Sequence, residues 1–361
     1  MSDQESQPAL NAEEQRENYC SLPEVPPRDL AHISDPHRQG MIAKLDRTWM
    51  NGTTLSYYFF ESPSHWRGNE LQRDAVRRAF DIWKSVGIGL NFVEVQRAEE
   101  ATVRIGFNWG EGSWSYVGRD CIDQVPSVSK RTTNFGWDLT TVHGRNTALH
   151  ELGHVLGLPH EHQNPKAGII WDEEAVYRNF AEPPNRWSRR KTKHNILRKI
   201  SEHAVDGSAW DKNSIMHYAF KAGLISEPVI YRTEPLQPSD GLSDIDKLSI
   251  RELYPPLGPT ERALIALQSQ TLDIKPGEQL DFVIEPVLSR KYTLQTFGDM
   301  DSIVVLFEER NGNQEFIAGD DDSGENFNAK IVLRLHRGRK YIAKVRLFHA
   351  QSEGAGSIML I

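Results

Sequence analysis

Residues His150–His162 read HELGHVLGLPHEH, with two histidines four apart and a glutamate directly after the first. On an α-helix, residues i and i+4 share a face, so His150 and His154 can turn both imidazoles towards one metal ion. Glu151 lies beside them, where a carboxylate can take a proton from metal-bound water. Gly157 tolerates positive φ and stops the helix, as glycine commonly does. The turn it permits brings His160 back to the same point as a third ligand. Three imidazoles leave one tetrahedral corner open for water, which marks a catalytic metal site and not a structural one. A bare HExxH arises by chance on surface helices, but HExxHxxGxxH adds further constraints, all met here in order.

The rest of the chain must build a fold around that helix. At 361 residues it has room for two domains and an extension. Hydrophobic residues make up 38% and charged residues 25%, an ordinary soluble composition that excludes disorder throughout. The net charge of −8 argues against a general nucleic-acid binder. No run of about eighteen apolar residues occurs, so no membrane span is expected. The N-terminal stretch is polar and acidic and lacks the apolar core of a secretory signal. The expectation is a protein that stays in the cell, leaves by another route, or is secreted after losing a leader. Cys20 and Cys121 are too few for a disulfide scaffold.

Residues 1–45 lack sustained periodicity and carry a Pro-rich patch at Pro23–Pro27, which reads as an extended arm or prosegment. Thr54–Phe60, Leu90–Val95 and the alternation of Val103, Ile105 and Phe107 read as strands. Leu71–Val86 reads as an amphipathic helix, with Leu71, Ala75, Ala79 and Trp83 on its apolar stripe and Val76, Phe80 and Ile82 widening it. Ser113–Gly118 reads as a short strand, and we expect it to form an exposed edge able to hold an extended peptide by main-chain hydrogen bonds. The basic run Arg186–His194 is best read as a solvated helical face. Ser243 followed by Asp246 resembles a capping box that opens a helix to Leu253, and Pro255, Pro256 and Pro259 mark a linker. The domains are therefore drawn at 1–45, 46–256 and 257–361. The middle one is α/β (α+β), with a mixed sheet backing the metal helix. In the last, short strands separated by turn residues suggest an all-β sandwich. Asp320–Asp322, with Asp299 and Asp301 upstream, are a clustered set of oxygen ligands that could hold Ca²⁺, and turn chemistry explains the run equally well.

The extended histidine motif is the metzincin pattern, and Glu161 after the third histidine together with SIMHY at Ser214–Tyr218 resembles the astacin family. Segments such as SWSYVGRD and HEHQNPKAGIIWDEEAVYRNF are similar to a microbial branch of it, and the tail resembles the prepeptidase-type β-sandwich that follows many bacterial proteases. The resemblance implies a zinc endopeptidase acting on protein or peptide substrates. It implies one catalytic Zn²⁺ on His150, His154 and His160, and Glu151 as general base and acid. It implies Tyr218 as a switchable ligand that stabilises the tetrahedral intermediate, and Met216 as the Met-turn residue. In family members, Glu161 meets the mature N-terminus. The chain departs from the pattern in two ways: two cysteines cannot form the two disulfides of many animal astacins, and the Phe-x-Gly-Asp prosegment motif is absent from 1–45. Cys20, in NYCSLPEVPP, offers a thiolate that binds zinc strongly. A cysteine latency switch is one expectation for it; a Cys20–Cys121 bridge and a plain free thiol are the others. The alternative to an active protease is a latent or silent metzincin that works as a binding protein through its β-sandwich.

Overall fold

A computed structural model describes residues 19–26, 47–200, 209–257, 262–349 and 352–361. The chain divides into two compact units. The first contains the described residues up to Trp49 with Leu55–Trp83 and Phe92–Lys247; the second contains Met50–Thr54, Lys84–Asn91 and the chain from Leu248 on.

In the first unit, strands β1 (Thr54–Phe59), β2 (Asn91–Glu94), β3 (Val103–Gly106), β4 (Trp114–Ser115) and β5 (Thr133–Asn134) form a sheet in the order β2-β1-β3-β5-β4. β1 and β5 run parallel to β3, while β4 runs antiparallel to β5, so the sheet is mixed. β4 is the edge strand foreseen in Ser113–Gly118, though only Trp114 and Ser115 of that stretch are strand residues.

Helix α1 (Glu70–Ser85) buries Ala75, Val76, Ala79, Phe80 and Trp83. Leu71 and Ile82, assigned to its apolar stripe from sequence, are 64% and 43% exposed. Gln72 is buried instead, because its amide is used: Nε2 donates to Asp138 Oδ1 at 2.6 Å and Oε1 accepts from the Leu139 amide at 2.7 Å. Trp83 donates its indole N–H to Leu149 O at 3.0 Å, which ties α1 to the metal-motif helix.

That helix, α2 (Val142–Val155), starts well before His150. The Thr141 hydroxyl caps it by accepting from the Gly144 amide at 3.0 Å. From Thr147 to Val155 every residue is buried, so no polar face betrays the helix in the sequence. Helix α3 (Glu173–Ala181) follows, and the basic run beyond it forms a helical turn at Arg189–Thr192 that passes into a π-turn ending at Leu197. A small pair, β6 (Ile170–Trp171) and β7 (Ile225–Glu227), completes the strands of this unit.

Helix α4 (Asp244–Leu253) opens with both bonds of the capping box. The Asp246 amide donates to Ser243 Oγ and the Ser243 amide donates to Asp246 Oδ2, each at 2.9 Å.

The second unit holds two sheets. One has the order β13-β12-β15-β10-β8 and the other β14-β11-β16-β9. Their strands are β8 (Arg262–Ala263), β9 (Gln270–Ile274), β10 (Gln279–Ile284), β11 (Arg290–Gly298), β12 (Ser302–Arg310), β13 (Asn313–Asp320), β14 (Lys330–Leu335), β15 (Lys340–Leu347) and β16 (Gly354–Leu360). Leu272, Phe282, Leu294, Leu306, Val345 and Ile358, drawn from both sheets, share one buried cluster, as the alternation of a sandwich requires.

The calcium expectation finds no support here. Asp320 spends its carboxylate on a turn, accepting from Ser323 Oγ at 2.6 Å, Ser323 N at 3.0 Å and Lys330 N at 2.7 Å. Among the described residues, the one group of metal-competent side chains lies in the first unit.

Candidate metal centre and peptide cleft

The imidazoles of α2 meet as the spacing requires. His154 Nε2 lies 3.1 Å from His150 Nε2 and 3.1 Å from His160 Nε2. Gly157 takes φ +95° after the helix, and its amide bonds back to His154 O at 2.8 Å, which closes the turn that returns His160. The far nitrogens of two rings are held from behind. His150 Nδ1 donates to Ile215 O and His154 Nδ1 to Leu158 O, both at 2.7 Å. Each bond fixes the tautomer that leaves an Nε2 lone pair facing inward. Burial pushes His150 down to about 4 and takes His154 and His160 well below the usual imidazole range, so all three rings are neutral and ready to ligate.

The fourth member of the cluster comes from the arm. Cys20 Sγ and the ligand nitrogens of His150, His154 and His160 all lie within 4.8 Å of one another. Cys20 and Cys121 are both free, which overturns the bridge between them. The thiol is buried, and burial, followed by the charge of Glu151, raises its pKa well above the usual thiol range. Three imidazoles and the Cys20 sulfur would make a closed four-ligand set for Zn²⁺, and the donor chemistry fits that ion.

Glu151 is fully buried beside the cluster. Burial pushes its carboxyl up to about 8, with the neighbouring Cys20 thiol pulling it part of the way back. Tyr218 also reaches the cluster, with its hydroxyl 2.6 Å from His160 Nε2 and donating to Cys20 O at 2.8 Å. Burial raises the phenol well above its usual range, so it keeps its proton.

Met216 is 2% exposed. A Cβ on Gly153 would stand 2.3 Å from Met216 Sδ, so the glycine inside the helix motif admits the methionine beneath the site. Glu161 accepts from Asp211 N at 3.0 Å and Asn164 Nδ2 at 3.1 Å, and burial lifts its carboxyl to about 7.

Several contributors were not visible in the sequence. Asp246, read only as a helix cap, also accepts from Ser214 Oγ at 2.6 Å and Ile215 N at 2.8 Å, so the residue that opens α4 sets the Met-turn. The arm is seated by contacts that no pattern announces. Leu22 N donates to Asn195 Oδ1 at 2.8 Å, Ser21 N donates to Ser113 O at 3.1 Å next to the edge strand, and Glu24 pairs with Arg190. A cavity of about 700 Å³ opens on the Tyr19 side of the cluster, between the first turns of α2 and the chain at 237–240.

A family model described as Astacin (Peptidase family M12A) matches residues 41–254. Karilysin of Tannerella forsythia is 29% identical over 143 residues, 34% of this chain and 28% of that protein. Bone morphogenetic protein 1 of Xenopus laevis is 30% identical over 154 residues, 40% of this chain and 19% of that protein. The chain thus spans less than a third of the length of these curated relatives. The solved structure of myroilysin is similar with a TM-score of 0.51 at 30% identity, covering 58% of this chain and 96% of that one.

Proposed function

This chain belongs to the astacin family, peptidase family M12A, and from that membership we propose that it is a zinc-dependent endopeptidase held latent by its own Cys20. We assign the activity to the domain drawn at 46–256, with His150, His154 and His160 as the ligands. The observation that carries the reading is the convergence of those three imidazoles with Cys20 Sγ, next to a buried carboxylate. Zinc, when bound there, lowers the pKa of a coordinated water towards neutrality and polarises a carbonyl.

The remaining work falls to the chain's own groups. Glu151 has an environment that raises its proton affinity towards neutral pH, which suits a group that must accept a proton from the attacking water and return it to the leaving amine. Tyr218 keeps its phenolic proton and already donates to a peptide carbonyl, Cys20 O. The same hydroxyl is placed to donate to a substrate oxygen as negative charge develops on it. Met216 and Gly153 hold the floor, and Asp246 fixes the turn that supplies Ile215 O to His150. Cys20 would hold the ion in the place that a water would otherwise take, so the seated arm and catalysis would exclude each other. The alternative of a silent metzincin acting through its β-sandwich has no observation in its favour.

The test is casein hydrolysis by the full chain and by Cys20→Ala, both loaded with zinc. The reading expects activity in Cys20→Ala at least about tenfold above the unaltered chain, since a single zinc ligand must be displaced before water can enter. Equal rates in the two would remove Cys20 from the account.

A further inference from the structure

Tyr19, the residue before the thiol, is seated in a site of its own. It is 8% exposed and lies among four aromatic rings. Its centroid is 4.8 Å from Phe180, 5.2 Å from Tyr218, 6.2 Å from Phe220 and 6.5 Å from Trp187. The stack on Phe220 and the edge contacts with Tyr218 and Trp187 are geometries that aromatic pairs prefer. The phenol donates to Ala219 O at 2.8 Å, so the recess supplies an acceptor for a hydroxyl at its end. The next peptide carbonyl, Cys20 O, is held by Tyr218, and the next amide, Ser21 N, by Ser113 O. An aromatic side chain is therefore bound one residue away from the metal cluster, on backbone that the cleft grips through hydrogen bonds open to any peptide.

We propose that this recess is a substrate subsite for an aromatic side chain, which Tyr19 fills while the arm is in place. The proposal rests on the endopeptidase reading above and adds the class of residue selected. The cavity that adjoins the recess is lined in keeping with this. Among the described residues lining the adjoining cavity there is no lysine or arginine, and its walls include Trp137, Val142, Ile215 and Pro238. Its rim carries the carboxylate of Asp240, bonded to Asn146 Nδ2 at 2.6 Å. Lys191 Nζ lies over the Trp187 ring, 5.0 Å from its centroid, but at the polar end of the recess an acidic side chain would meet the Ala219 carbonyl, an acceptor, where it needs a donor. A ring loses nothing there, and a phenol gains a bond.

The experiment measures binding in the zinc-loaded full chain carrying Glu151→Gln and Cys20→Ser, with and without Tyr19→Ala. The probes are dye-labelled hexapeptides that differ at one residue: Tyr, Phe, Leu or Glu. With Tyr19 replaced, the Tyr and Phe peptides bind at least about tenfold tighter than the Glu peptide. With Tyr19 retained, that advantage shrinks, because the arm's own ring competes. Trp187→Leu, checked for an unchanged thermal midpoint, erases the aromatic advantage and leaves the Glu peptide unmoved. Should Trp187→Leu misfold, the comparison with and without Tyr19 stands on unaltered walls. Equal binding of Tyr and Glu peptides, or an aromatic advantage indifferent to Tyr19, overturns the subsite. Parallel cleavage assays with Glu151 intact separate the two readings. Aromatic preference in binding without cleavage keeps the subsite and sinks the peptidase; cleavage without aromatic preference does the reverse.

Discussion

Tyr218 has a hydroxyl that makes two contacts at the centre, one with a ligand ring and one with a peptide carbonyl. Removing the hydroxyl alone, in Tyr218→Phe on the Cys20→Ala background, should lower turnover by about 10²-fold, the usual cost of one donor to a developing oxyanion. Zinc content should stay unchanged, since the ring and the three imidazoles remain. Turnover at the parent rate would show that the phenol only packs. At this scale the sequence was highly legible. The fold brings together the three histidines, Glu151, Met216 and Tyr218 that the motif spacing singles out, because metal chemistry demands fixed residue types at fixed spacings. Gly153 is not singled out, since a glycine inside a helix announces only the lack of a side chain and not the sulfur that needs the space. Tyr19 was missed for a related reason: one aromatic residue in an aperiodic arm carries no pattern, and its role is visible only from the rings around it.

Among the elements, α4 has the most instructive start. Ser243 and Asp246 form the box read from their spacing, but the same Asp246 carboxylate also receives Ser214 Oγ and Ile215 N. One side chain therefore holds a helix terminus and the Met-turn, across a separation in sequence that no local rule covers. Asp246→Ala should destabilise the chain by about 2–4 kcal/mol, combining a lost cap with donors left buried and unpaired. The urea midpoint measures this, and a shift below about 0.5 kcal/mol, the range of an ordinary surface substitution, would contradict it.

Elements with a strong period were found within a residue or two: α1, β1 and β3 follow their apolar repeats. Those without one were not. β13 has no buried residue and shows no alternation; it is placed by pairing with β12 across a turn at Asn311 and Gly312, both at positive φ. That Asn-Gly pair was the available signal. β9 offers only Leu272 and Ile274 as buried residues, too few to stand out. The first turns of α2 escaped because the motif fixes attention on His150, whereas the helix is set by its cap at Thr141.

For the molecule as a whole, the arm and the metal site form one device. Residues 1–45 read as an extended arm or prosegment; the described part, 19–26, lies outside helix and sheet, yet Tyr19 and Cys20 are as buried as core residues. A closed site of three imidazoles and a thiolate should bind zinc tightly and couple that binding to the folded state. Stripping the metal from the full chain with a chelator should lower its thermal midpoint by several degrees, and restoring zinc should return it. In Cys20→Ala the same treatment should produce a smaller shift, because one ligand is gone. An unchanged midpoint on chelation of the full chain would mean that the cluster does not hold the ion.

The central claim is that His150, His154 and His160 hold a zinc ion which Glu151 turns to peptide hydrolysis once Cys20 is out of the way. The most direct measurement compares casein hydrolysis and bound zinc in Cys20→Ala and in Cys20→Ala/Glu151→Gln. The account predicts one zinc per chain in both, with hydrolysis by the first and a loss of about 10²–10⁴-fold in the second, the range for removing a general acid–base group. Hydrolysis at equal rates in the two, or a protein that cleaves casein without bound zinc, would contradict it.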